Sequence, residues 1–296
     1  MARRYAVAIS LVLAGCASGP HVQRAPLALP LAESMTVEVR LTQHEIFVSR
    51  DVSNAGSAAG VQMASSPSVA AGGFRAGAAA GLIGALVDAA VNAHRSSVAE
   101  AAAKPLHEHM SGIDVDALVY RSVDALSTTS FARSLRVEHL GKAEADDEKD
   151  GRLEPGSPVL VLAPAYSVSY DGKAFTYVLA AKVVDRARGA GGKLTTSTRY
   201  QQVFEYVAGE GDLAGGMLPA QLSADQWKAL LEQASSETVA MLNYDIGARP
   251  GDGLPQRDYG RMRVLLDQDK GGRAWVRTNF ALLSVASASL KPHANS

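Results

Sequence analysis

The chain has 296 residues, 47% of them hydrophobic and 20% charged, with a formal net charge of −1. That length suits one large domain or two small ones, and the lack of a basic excess argues against nucleic acid as a partner. A single cysteine excludes an intrachain disulfide, so stability has to come from a core.

The first residues follow the order of a secretory signal. Arg3 and Arg4 form a positive n-region, Tyr5 to Leu13 an apolar h-region, and Ala14 and Gly15 a small-residue cleavage site. With Cys16 next in line, Leu13-Ala14-Gly15-Cys16 resembles the bacterial lipobox, in which the cysteine is diacylated and becomes the new N-terminus. The resemblance implies a signal peptide over 1–15 and lipidation at Cys16; the competing reading is an ordinary signal peptide with an accidental cysteine. Ala17 stands where an inner-membrane retention signal has Asp, which implies the outer membrane, with the body facing the periplasm. Several acyl chains hold far better than one, so attachment requires no transmembrane helix. Removing 1–15 also removes Arg3 and Arg4, leaving 281 residues and a formal charge of −3.

From Cys16 to residue 34, Pro20, Pro26 and Pro30 among small residues predict a tether without a packed face. The stretch "MTVEVRL" then alternates Val37, Val39 and Leu41 and predicts a strand, which Ile46 to Val48 extends. Residues 51–72 are Ala, Ser and Gly without apolar periodicity and read as a loop.

A glycine ladder follows in "GGFRAGAAAGLIGALVDAAVNAHR". On a helix with 100° per residue, Gly73, Gly77, Gly81 and Gly84 share one narrow stripe while Leu82, Ile83 and Leu86 lie away from it. Each glycine costs a helix about 1 kcal/mol relative to alanine, so a ladder makes sense where close backbone approach offsets that cost. Three readings compete: a membrane span, a helix-contact surface, and an alanine-rich helix with incidental glycines. The uncharged run 76–87 is about 18 Å of helix against a hydrocarbon core of about 30 Å, which penalises the first. Regular spacing penalises the third, leaving a contact surface against this chain or a copy of it.

Pro105 ends or kinks that helix, and "PLHEHM" makes a short turn closed by Gly112. Asp114 is placed to cap a helix in which Val115, Leu118, Val119, Val123 and Leu126 fall near helical spacing, and "SLRVEHL" predicts a strand. Residues 35–140 thus form an N-terminal region, 141–157 an acidic linker loop, and 158–288 a strand-rich region.

In the last of these, "VLVLAPAYSVSY" and "AFTYVLAAKVVD" flank Asp171-Gly172, the dipeptide of a two-residue hairpin, and "LTTSTRYQQVFEYV" makes a third antiparallel strand. Ser223 and Gln226 form a capping box for a helix whose face is Trp227, Leu230, Leu231, Ala234, Thr238, Met241 and Leu242. A second hairpin joins "RMRVLLD" to "AWVRTNFALLSVA" across 269–272, and the chain from Ser287 reads as a frayed polar tail. The fold class expected is α+β: an antiparallel sheet built from hairpins, helices on one face, and a long Gly/Ala-rich N-terminal helix.

Motifs for chemistry fail in detail. "GAGGKLTT" at 189–196 lacks the P-loop spacing, since Ala187 and Leu194 occupy its required Gly and Ser/Thr positions. His107 and His109 diverge by about 200° on a helix, with no HExxH partner. The calcium-like "DDEKDG" at 146–151 has Ser157 in place of the bidentate Glu and Pro155 in the exit segment. No GxSxG motif is present.

The lipobox, the ladder "GAAAGLIGALVDAAVN", "AAAKPLHEHM" and the helix "WKALLEQASSETVAMLNYDI" together resemble proteobacterial envelope lipoproteins with a glycine-zipper-like helix, a group that brings no assigned reaction. The expectation is a non-enzymatic envelope protein, anchored to the membrane through acylated Cys16, that binds itself or another envelope protein, with no cofactor, metal or nucleic acid. The alternatives are a membrane-active oligomer using the glycine ladder, and a small-ligand carrier or enzyme without a recognisable motif.

Overall fold

The computed structural model describes residues 32–41, 47–49, 106, 108–110, 112–128, 132–140, 158–169, 172–188, 192, 194–209, 212–213, 216–247, 254–260, 262–278 and 281–292. In chain order these form β1 (Ala32–Arg40), β2 (Phe47–Ser49), helix α1 (Val115–Asp124), β3 (Ala132–Leu140), β4 (Val159–Ser169), β5 (Phe175–Arg188) and β6 (Leu194–Ala208). Helix α2 (Ala224–Gly247) follows, then β7 (Gln256–Tyr259), β8 (Met262–Asp269), β9 (Arg273–Arg277), β10 (Leu282–Ala286) and β11 (Leu290–Pro292). The chain is thus a mixed α and β protein, mostly sheet with few helices.

All the strands join one 11-stranded sheet in the order β11-β7-β8-β9-β10-β6-β5-β4-β1-β3, with β2 also on β4. The expected β4, β5 and β6 pair antiparallel in sequence order. The expectation of a wholly antiparallel sheet is corrected, however: β1 is parallel to both β3 and β4, β2 is parallel to β4, and β10 is parallel to β6. Parallel neighbours need long connections, and each pair here has one: β6, for example, reaches β10 only after α2 and the antiparallel strands β7, β8 and β9. β1 covers Val159–Leu162 of β4 and β2 covers Ser167–Ser169, so the two run along the same edge, as the continuation at Ile46 to Val48 predicted.

Other boundaries also shift. The β4–β5 turn is not the two-residue type: Gly172 N donates to Ser169 O at 2.8 Å and Ser169 N to Ala174 O at 2.8 Å, so the connection is longer than two residues, with Gly172 at φ +68°. "AWVRTNFALLSVA" is two strands, because Thr278 N bonds Ala281 O at 2.9 Å while Ala281 N bonds the Thr278 hydroxyl at 3.0 Å, closing a turn between β9 and β10. The predicted frayed tail contains β11, which pairs with β7, a strand too short and polar to register as a pattern.

The helices keep their predicted starts. Asp114 Oδ1 accepts from Ala117 N at 2.9 Å, capping α1. Ser223 Oγ accepts from Gln226 N at 3.4 Å while Gln226 Oε1 accepts from Ser223 N at 2.9 Å, so the capping box of α2 is reciprocal. Its predicted face, from Trp227 to Leu242, is buried throughout. That face meets Leu160, Leu162, Phe175, Tyr177, Leu179 and Phe204 in the main core, with Leu118, Val119 and Val123 of α1 in the same cluster. Two polar side chains inside it are satisfied locally: Thr238 Oγ1 donates to Ala234 O and Ser122 Oγ to Leu118 O. No helix among the described residues is long and apolar enough to cross a membrane.

A second core lies on the other side of the sheet, where Val203 and Val207 of β6 share a cluster with Tyr259, Val264, Val276, Leu283 and Val285. A flat sheet would set β7 four strand spacings from β6, about 19 Å. Tyr259 is instead buried in one apolar cluster with Val203 and Val207 of β6, so the β6–β11 half of the sheet curls over.

Candidate functional site

Helix α2 crosses from an apolar half of the sheet to a polar one. Strand alternation sends Ala274 and Val276 of β9 into the second core and turns Arg273, Trp275 and Arg277 towards the helix. Trp275 Nε1 donates to Glu237 Oε1 at 2.7 Å, and Ser284 Oγ donates to the same oxygen at 2.9 Å. Arg273 donates through Nε to Ser284 Oγ at 2.9 Å and through Nη2 to the carbonyls of Val207 (2.8 Å) and Ser284 (2.6 Å). Its guanidinium lies 3.8 Å from the Tyr206 ring centroid. Since β6 and β10 pair only over 204–206 and 282–284, Arg273 ties the two strands together where their ladder ends.

About two turns further along α2, Arg277 holds two carboxylates. Its Nη1 donates to Asp245 Oδ1, and its Nε faces Asp267 Oδ2. Tyr200 Oη donates to the other oxygen of Asp245 and Tyr244 Oη to Asp267 Oδ1, both at 2.9 Å. Asp267 reaches this position because the β8–β9 register shifts between Leu266 and Gln268, leaving it in a bulge. Burial opposes the Arg277 charge, but Asp245 and Asp267 outweigh it and hold the guanidinium pKa above its ordinary value. The side chains of Arg277, Asp245 and Asp267 are 2%, 1% and 5% exposed. Each carboxylate is engaged by neighbours, so the cluster is chemically suited to clamping helix to sheet.

Glu205 is the buried acid without such partners. It lies 1% exposed on β6 between Val178 of β5 and Leu283 of β10, and its Oε2 has no hydrogen-bond partner among the described residues. Burial pushes its pKa from the ordinary 4.5 up to about 7. Tyr259 responds to the same surroundings: burial raises its pKa, Asp212 and Glu205 raise it further, and Arg273 opposes. A carboxyl whose folded pKa exceeds its unfolded one binds more protons when folded, so stability falls as pH rises from about 4.5 and levels off above about 7. The loss expected is about 3 kcal/mol. Glu205→Gln should flatten that slope in denaturation series across this range; a slope unchanged by the substitution would reject the assignment.

The residues singled out from sequence fall in different places. Cys16, the ladder glycines Gly73, Gly77, Gly81 and Gly84, His107, and the acidic "DDEKDG" stretch lie outside the described residues. His109 is exposed while Leu106 and Met110 are buried, matching its reading as a surface residue. The phosphate-loop lookalike is the β5–β6 connection, with Gly192 at φ +79° and Arg188 Nη1 bonded to its carbonyl at 3.4 Å. No group of three or more His, Cys, Asp or Glu among the described residues is placed to hold a metal ion.

Sequence reasoning passed over the buried ionic residues. Glu205 did carry a signal, since period two puts it on the face of Val203 and Val207. Arg277 shares its parity with Trp275, but Asp267 had none, because a bulge inverts the alternation. Comparison of the chain with protein-family profiles, curated proteins and solved structures brings no match.

Proposed function

We propose that this chain is a bacterial envelope lipoprotein, attached to the outer membrane through acylated Cys16 with its body facing the periplasm. The body serves as a protein-interaction or accessory component, not as an enzyme, and requires no cofactor. The observation that carries this is the order of the leader: Arg3 and Arg4, the apolar Tyr5 to Leu13, then Ala14-Gly15 directly before the chain's single cysteine. A body in which Arg277 holds Asp245 and Asp267 and Arg273 ties β6 to β10 is consistent with a rigid binding scaffold. The ladder of Gly73, Gly77, Gly81 and Gly84 is the surface assigned to meet a second helix, in a copy of this chain or in an envelope partner.

Mass spectrometry of the membrane fraction tests the anchor: the mature N-terminal peptide should begin at Cys16 and carry acyl chains. Cys16→Ser should move the protein out of the membrane fraction. An unmodified N-terminus elsewhere, with unchanged membrane association, would reject the anchor. Sedimentation of the protein extracted in mild detergent should give a species larger than the 30.9 kDa chain, and a monomer alone would reject the interaction role.

A further inference from the structure

The sheet has two halves that meet at one narrow joint. On one side β6 continues into β5, β4, β1 and β3, and on the other β10 continues into β9, β8, β7 and β11. β6 and β10 pair only through Phe204, Glu205 and Tyr206 against Leu282, Leu283 and Ser284, whereas β6 pairs with the whole of β5. On the helix side polar bonds clamp the joint. Arg273 bonds the carbonyls of Val207 and Ser284, and Glu237 and Asp245 of α2 bond Trp275 and Arg277 of β9. On the opposite side the halves meet through apolar contacts, in the cluster that includes Val203, Val207, Tyr259 and Leu283.

Glu205 is the middle residue of this joint, and strand alternation puts it on the apolar side with Val203 and Val207. It is fully buried and its Oε2 has no hydrogen-bond partner among the described residues. A carboxylate without a partner in an apolar cluster is strongly disfavoured, so the packed joint holds the neutral acid and the ion requires water. The other charged and titratable groups on this side do not bond Oε2. From β7, Tyr259 keeps its proton because burial raises its pKa, and Arg257 donates to the Gln256 carbonyl at 2.8 Å. Lys182 of β5 pairs with Gln201, four residues and about 13 Å along β6 from Glu205. Asp269, at the end of β8, accepts from Gly271 N and Ser287 Oγ, and the exposed Asp212 after β6 accepts from Gly209 N. Arg273 of β9 is engaged on the helix side. The residues that β10 and β11 turn to this side are apolar, Leu283, Val285 and Leu290 among them.

We propose that Glu205 makes the β6–β10 joint a proton-controlled seam: with the acid neutral the β7–β11 half stays folded over β6, and on ionisation the seam parts on the Tyr259 side, hinging on the clamps to α2. Acid closes the joint and neutral pH loosens it. The sign follows from linkage. Water in the open seam returns the carboxyl towards its ordinary 4.5, while burial in the closed one pushes it up to about 7. Opening therefore grows as pH rises from about 4.5 and levels off above about 7.

Backbone hydrogen exchange of the full chain in mild detergent, divided by the intrinsic rate at each pH, reads the seam. From pH 5 to pH 8 the corrected exchange of 204–206 and 282–284 should rise on the order of fiftyfold. It should also be faster than exchange in the β4–β5 ladder at every pH and change little with low urea, as a local opening does. Glu205→Gln should remove the rise, and Glu205→Met, also uncharged, answers the same question if the Gln chain does not fold. Corrected rates that do not change with pH overturn the seam. Rates and urea dependence equal to those of the β4–β5 ladder overturn it as well, since Glu205 then acts on global unfolding alone. A rise that survives in the variants overturns it by assigning the response to another group.

Discussion

Arg277→Ala should lower the unfolding free energy by about 3–5 kcal/mol, the range for removing one partner of a buried ionic cluster. The expected size follows from what remains. Asp245 and Asp267 would lie buried without their cation, at the desolvation cost of charge left unpaired. Asp245 is doubly exposed to this loss, because it sits in the last turn of α2, where the helix dipole disfavours an acid and no basic residue of the helix compensates. Arg277→Lys should recover only part of the stability, since one ammonium does not reproduce a guanidinium that faces Asp245 through Nη1 and Asp267 through Nε. Urea denaturation reads the effect as a lower midpoint with an unchanged slope. A midpoint equal to that of the parent would show that the cluster contributes nothing net.

Trp227→Ala should cost about 3–5 kcal/mol for a different reason, loss of packing. The indole is fully buried at the start of α2 and meets the Phe175 ring edge-on, with centroids 5.4 Å apart and planes at 76°. Its Nε1 has no hydrogen-bond partner among the described residues, so the side chain contributes through shape and area alone. Trp227→Phe should therefore cost far less than Trp227→Ala. In a domain of this size the alanine variant should melt on the order of 10 °C lower. Comparable losses for Phe and Ala would mean that the indole nitrogen, not the packed ring, matters.

The two substitutions separate the halves of the helix–sheet contact. The Trp227 half was legible because an amphipathic helix announces itself through period 3.6, and Ser223 and Gln226 mark where it begins. The Arg277 half was not, because its members come from α2 and from three strands whose neighbourhood depends on how β6, β8 and β9 are ordered in the sheet. Local pattern also located β4, β5 and β6, whose apolar alternation and turn residues lie within one stretch of chain. It also marked strands at β1, β3 and β10 but not their remote partners, β1 between β3 and β4 and β10 beside β6, and it missed β7 and β11.

By itself the sequence determined the capped helix starts at Asp114 and Ser223, the three long strands, and the buried face of α2. These rest on covalent order and short-range periodicity, which need no knowledge of the remaining chain. Only the tertiary structure decided that the sheet is mixed, that it curls so that Glu205 and Tyr259 come together, and that Arg277 meets both Asp245 and Asp267. It also decided that Glu205 stands in the middle of the short joint between β6 and β10. Long-range pairing sets all four, because the apolar and hydrogen-bonding surfaces of a strand specify that it must have neighbours, while the connections and competing edges select which ones.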